Sequence, residues 1–191
     1  WVNFQSNQAQ AWAGNTSRGD QLNQAYRLYG LALAKSPDLS AMNRLKEQTN
    51  LQLQARWRLA AAYQLAGQQQ VARNLVDGQS TEPGQYNGHG RTYGSSLRDL
   101  ALILDTLAMI GDRERAMTLT QAVSKQLSGK RWHSTQTTAY SLLAISRFVG
   151  KLDQEAPLEA VYTLAEQNPA NVATTRPIAS VKLALGNKNQ P

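Results

Sequence analysis

The sequence predicts an all-α fold of stacked antiparallel helical hairpins, with a short C-terminal segment of β character. Three observations carry this. Apolar residues recur at helical spacing over most of the first 150 positions. Serines, aspartates and glycines stand where helices should start and stop. Glycines at 67, 111 and 150 mark a period of roughly 40 residues, the size of one helical hairpin repeat. Such a repeat builds either an open solenoid or a closed α/α toroid.

The elements follow in chain order. Trp1 to Ala13 is polar and interrupted, so residues 1–19 are read as a lead-in. A helix from Asp20 to Lys35 is expected from Leu22, Ala25, Tyr26, Tyr29 and Leu33, with Asp20 as N-cap and Ser36-Pro37 as the stop. Ser40 to Gln48 forms a short helix with Met42 and Leu45 on one face. Leu51 to Ala66 is the next helix, ended by Gly67, and Gln68 to Val76 returns as its antiparallel partner.

Gln79 to Tyr93 breaks the pattern with Pro83, Gly84, Gly88 and Gly90, and reads as a long loop and a candidate contact surface. Ser95 then caps a helix to Ile110, and Gly111-Asp112 turns the chain into Arg113 to Leu127. Ser134 opens the last strong helix, expected to stop at Gly150. The helical repeat domain thus spans 20–150. The extension 151–191 is interrupted by Pro157, Pro169 and Pro177. Within it, Leu158 to Ala165 reads as a helix or a strand, and Ile178 to Leu185 alternates as a half-buried strand.

Composition narrows the function classes. The formal charge is +7, but Arg56, Arg58 and Arg73, Arg113 and Arg115, and Lys125, Lys130 and Arg131 are spread along helices. That spread is expected to give a solvated, mildly cationic surface and no nucleic-acid stripe. The absence of cysteine removes disulfides, thiolate metal sites and an internal thioester from these residues. No apolar run approaches membrane-spanning length, so no direct membrane insertion by this segment is expected. The start lacks a basic-then-apolar signal, which favours an origin inside a longer chain.

The candidate chemistry is sparse. His89 and His133 have no ligand-spaced carboxylates, so no metal site is assigned. Ser134-Thr135-Gln136-Thr137-Thr138 reads first as a helix cap and only second as a polar pocket. Arg98-Asp99 fits a buried or inter-helix ion pair. Most carboxylates fall at helix ends or turns (Asp20, Asp38, Asp77, Asp99, Asp112), while Glu47 and Glu82 lack an obvious partner. A converging catalytic pair is therefore not expected, and catalytic, cofactor-binding and metal residues are all read as none.

Several motifs together carry a family resemblance. They are Gln24-Ala25-Tyr26-Arg27-Leu28-Tyr29, Met42-Asn43-Arg44-Leu45, the helix Arg56 to Gly67, Tyr93-Gly94, Leu97-Arg98-Asp99, Ala101-Leu102-Ile103-Leu104, and Trp132 before Ser134-Thr135-Gln136-Thr137-Thr138-Ala139. Over residues 20–150 the chain resembles the later half of the helical thioester-type domain of bacterial alpha-2-macroglobulins. The resemblance implies part of an α/α toroid in a large, non-enzymatic endopeptidase inhibitor that traps proteases after bait cleavage. It further implies a periplasmic or cell-envelope location in bacterial defence, with a lipid anchor carried outside this chain. The partners it implies are target proteases, met through the full-length parent, and neighbouring domains of the same chain. The family's Cys-x-Glu-Gln thioester is absent here. It lies upstream, or the parent belongs to the group lacking it. The alternative is a free-standing tetratricopeptide-like adaptor that binds a peptide or protein partner.

Overall fold

A computed structural model describes residues 1–14, 18–83, 94–152, 158–163 and 169–174. Their elements are α1 (Val2–Ala11), α2 (Arg18–Leu33), α3 (Leu39–Lys46), α4 (Leu53–Leu65), α5 (Gln69–Val76), α6 (Ser96–Ile110), α7 (Arg113–Leu127), α8 (Thr135–Leu152), β1 (Leu158–Tyr162) and β2 (Ala170–Thr174). The chain divides into two units, Trp1–Phe148 and Val149–Pro191.

In the first unit, α4 is the hub. It packs on α2, on its hairpin partner α5 and on α6, and α6 in turn packs on α7. The sequence dictates this centrality: α4 carries Trp57, Leu59, Ala60, Ala61, Ala62 and Tyr63, all buried, and the small alanines let neighbouring helices approach closely. Every residue of α6 from Leu97 to Ile110 is buried. A helix covered on all sides must be apolar almost throughout, and its few charged members are consequently paired, as shown below.

The hairpins close on left-handed glycines. Gly67 and Gly111 adopt φ of 78° and 81°. Behind them the amides of Gln68 and Asp112 reach back to the Tyr63 and Leu107 carbonyls at 2.9 and 3.1 Å, closing the last turns of α4 and α6. At the end of α2 the same device is built on Lys35, with φ of 59°, and the Ser36 amide donates to the Leu31 carbonyl at 2.9 Å. The N-caps are as chemistry requires. Side chains of Asp38, Ser95 and Asp112 accept from the amides of Ala41, Arg98 and Arg115.

Four sequence expectations are corrected. Residues of the lead-in form α1, which packs on α2 and α3. Its C-terminal carbonyls are satisfied from other helices: Gln24 Nε2 donates to the Ala9 carbonyl at 3.1 Å, and Arg44 Nη1 to the Trp12 carbonyl at 3.1 Å. Asp20 is not an N-cap but lies in the first turn of α2, where its carboxylate accepts the Trp12 indole N–H at 2.5 Å. Gly150 does not end α8, which continues to Leu152. Arg58 is not part of a solvated surface, being 1% exposed.

In the second unit β1 and β2 pair antiparallel, in a register running from Leu158 opposite Thr174 to Tyr162 opposite Ala170. This resolves the segment from Leu158 as strand. The strand expected over Ile178 to Leu185 lies outside the described residues, as do residues 84–93 of the long loop.

Candidate functional site

The densest chemistry sits where α2, α4, α6 and α8 turn side chains toward one another. Arg58 projects from the middle of α4 and is fully enclosed. Its Nη1 donates to Asp105 Oδ2 of α6 at 3.2 Å. Its guanidinium carbon lies 4.3 Å from the centre of the Tyr29 ring and 4.9 Å from that of Tyr26, both on α2. The other oxygen of Asp105 accepts from Arg147 Nη1 of α8. The Tyr26 ring meets the Tyr140 ring of α8 edge-on, 6.5 Å between centres.

Electrostatics explains why the cluster holds together. Burial works against a charge on Arg58, yet Tyr26, Asp105 and Tyr29 outweigh it and hold its pKa above the ordinary value. Among the described residues Arg58 Nε and Nη2 have no conventional hydrogen-bond acceptor; the two electron-rich ring faces are the compensation available to a desolvated guanidinium. Burial pushes the Tyr26 phenol up to about 12, reinforced by Tyr140 and opposed by Arg58. Two guanidinium groups share a single carboxylate, so the cluster carries a net positive charge.

A second polar group flanks it at the start of α6. Arg98 Nη2 donates to Asp99 Oδ1 at 3.1 Å, and Gln54 Nε2 of α4 reaches Asp99 Oδ2 at 3.4 Å. Burial raises the Asp99 pKa, while Arg98 and Gln54 pull it back. The buried ion pair expected for Arg98-Asp99 is therefore in place.

The serine run of α8 acts as a cap. Ser134 Oγ accepts the Thr137 amide at 3.2 Å, and Thr137 Oγ1 lies 2.9 Å from Ser95 Oγ, so the caps of α6 and α8 are tied to each other. Gln136 faces outward. His133 Nε2 sits 3.2 Å from the Gln126 carbonyl in an exposed loop. His89 lies outside the described residues. Of the long loop, residues 79–83 are anchored to α4: the Trp57 indole N–H donates to the Ser80 carbonyl at 3.1 Å, and Gln54 Nε2 to that of Pro83 at 3.2 Å.

The structure brings together residues that sequence reasoning left apart. By sequence Arg58 falls among cations spread along the helices, and nothing local pairs Asp105 with it. The signal that could have found them is a charge in the middle of an otherwise apolar helix, as in Trp57-Arg58-Leu59-Ala60 and Leu104-Asp105-Thr106. A shallow cleft of about 450 Å³ also lies between α5 and the α6–α7 turn. Its cations Arg73 and Arg115 are accompanied by Asp77 and Asp112, and Arg115 is tied to Asp112 at 2.8 Å. Among the described residues no group of His, Cys, Asp and Glu could hold a metal ion, and no helix is long and apolar enough to cross a membrane.

No family model, curated protein or solved structure matches the chain.

Proposed function

We propose that this chain is a structural part of the helical domain of a bacterial alpha-2-macroglobulin-like endopeptidase inhibitor. The observation that carries the reading is the order of the architecture. Helices α2, α4 and α6 pack side by side, α4 and α6 each backed by a hairpin partner, and the chain then passes from helix into an antiparallel β pair. A partial α/α toroid leading toward β domains has this order. Within the parent, the segment's task is mechanical. Arg58, Asp105 and Arg147, with Tyr26 and Tyr29, tie α2, α4, α6 and α8 to one another, which lets a domain keep its shape while the molecule around it rearranges on bait cleavage. The parent is placed in the periplasm or cell envelope, held by an anchor outside this chain, and meets its target proteases as a whole.

The test is the native size of the polypeptide that carries this segment, followed by protease retention. An antibody raised against the chain is expected to detect a band many times heavier than 21.0 kDa. That species should retain a small protease in native gels after bait cleavage. A band near 21.0 kDa overturns the reading. It leaves the adaptor alternative, which the regular α4–α5 and α6–α7 hairpins favour.

A further inference from the structure

Helix α8 carries a row of side chains that stand exposed among the described residues. On α8, Gln136, Ala139, Leu143 and Ser146 recur in steps of three and four, the spacing of a helix–helix seam, and Trp132 stands three residues before the helix; all are exposed. Leu142 flanks it. Trp132 is 83% exposed, Leu142 56% and Leu143 52%. The internal repeat shows how unusual this is. Ser95 and Ser134, and likewise Gly111 and Gly150, are separated by one spacing, which sets Ile103 and Leu104 of α6 opposite Leu142 and Leu143 of α8. The α6 residues are 0% exposed.

The seam itself holds no charge, but its N-terminal end is strongly cationic. Lys125, Lys130 and Arg131 are exposed there, and among the described residues none of them pairs with a carboxylate. The sequence has no aspartate or glutamate between Glu114 and Asp153. We propose that α8 docks an amphipathic helix of a partner protein, with leucine-type side chains along the seam and carboxylates facing Lys125, Lys130 and Arg131. Trp132, the most exposed large apolar side chain described, is the anchor at the charged end. A second copy of this chain is a poor occupant, because its α8 presents the same cations. A lipid surface has no use for the small and polar residues Ala139, Ser146 and Gln136, which suit close packing of helices. The inference goes beyond the trap reading and does not depend on it.

The experiment titrates the full chain with a synthetic amphipathic peptide bearing leucines at heptad positions and glutamates at one end, following peptide anisotropy. A twin peptide carries lysines in place of the glutamates. The glutamate peptide is expected to bind at least tenfold tighter than its twin, and more weakly as salt rises. The double variant K130E/R131E should reverse the preference, and Leu143→Asp should weaken both peptides at least tenfold with unchanged far-ultraviolet circular dichroism. Absence of binding, or equal binding of the two peptides, overturns the proposal. So does self-association, or sedimentation with phosphatidylglycerol vesicles, that Leu143→Asp abolishes, since the seam then belongs to another occupant.

Discussion

Asp105 balances the charge of a guanidinium that water cannot reach, and its removal should show how unequal the two arginines are. Asp105→Ala strands Arg58 in the interior and should cost about 3–5 kcal/mol, the range for breaking one side of a buried pair. Arg147 contacts the same carboxylate but is 28% exposed, so Arg147→Ala should cost about 1 kcal/mol or less. Urea denaturation of both variants checks the asymmetry; equal losses would mean that Arg58 is held mainly by its tyrosines. Those tyrosines set a second expectation. Burial raises Tyr26 and Tyr63 from 10.0 to about 12, with Tyr140 adding to the first and Glu47 to the second. The unfolded chain therefore ionises first. Stability is fully present below pH 10 and declines as pH climbs from 10 toward 12, by up to roughly 3 kcal/mol through Tyr26, with Tyr63 acting in the same direction but more weakly. The urea midpoint should fall across that window, and Tyr26→Phe should make the fall shallower. At this scale the sequence was only partly legible. Arg98-Asp99 announced itself as neighbours at a helix start. Arg58 and Asp105 stand far apart in the chain, and only the packing of α4 on α6 makes them partners.

Elements were read best where backbone chemistry is local. The Ser95 and Ser134 caps depend on a hydroxyl and an amide three residues on, and the Gly67 and Gly111 turns on a positive φ, so composition alone locates them. Helix α1 escaped because its stabilisation is not local: the carbonyls of Ala9 and Trp12 are satisfied by Gln24 and Arg44 on other helices. Gly150 misled because a glycine ends a helix only when its φ is positive, and here the helix runs on. Lys35 is the reverse case, a side chain held at φ 59° where glycine belongs. A Cβ in the left-handed region costs about 1–2 kcal/mol, so Lys35→Gly should stabilise the protein by about 1 kcal/mol, and Gly111→Ala should destabilise it by a similar amount. Nothing lies within 4 Å of a Cβ added at Gly111, so that loss would be conformational and not steric. Thermal unfolding of the two variants should move in opposite directions.

For the whole molecule, the distribution of the core decides what can fold alone. Among the described residues every buried apolar side chain lies between Ala9 and Phe148. The second unit offers a five-residue strand pair with Glu159, Val161, Asn171 and Ala173 exposed, and two strands without further cover are marginal in water. The all-helical character of the first unit was legible from periodicity. The paired β strands were half legible, because Leu158 to Ala165 reads as helix or strand, whereas Ala170 to Thr174 follows directly on a proline and shows no clear alternation. A chain ending after Leu152 keeps every apolar side chain that is buried among the described residues. It should unfold in one cooperative urea transition with a midpoint close to that of the full chain. Its helical circular dichroism per residue should be higher, since the strand-bearing part is gone. Loss of cooperativity in the shortened chain would mean that residues beyond Leu152 stabilise the helical unit, and the core would then have to be redrawn to include them.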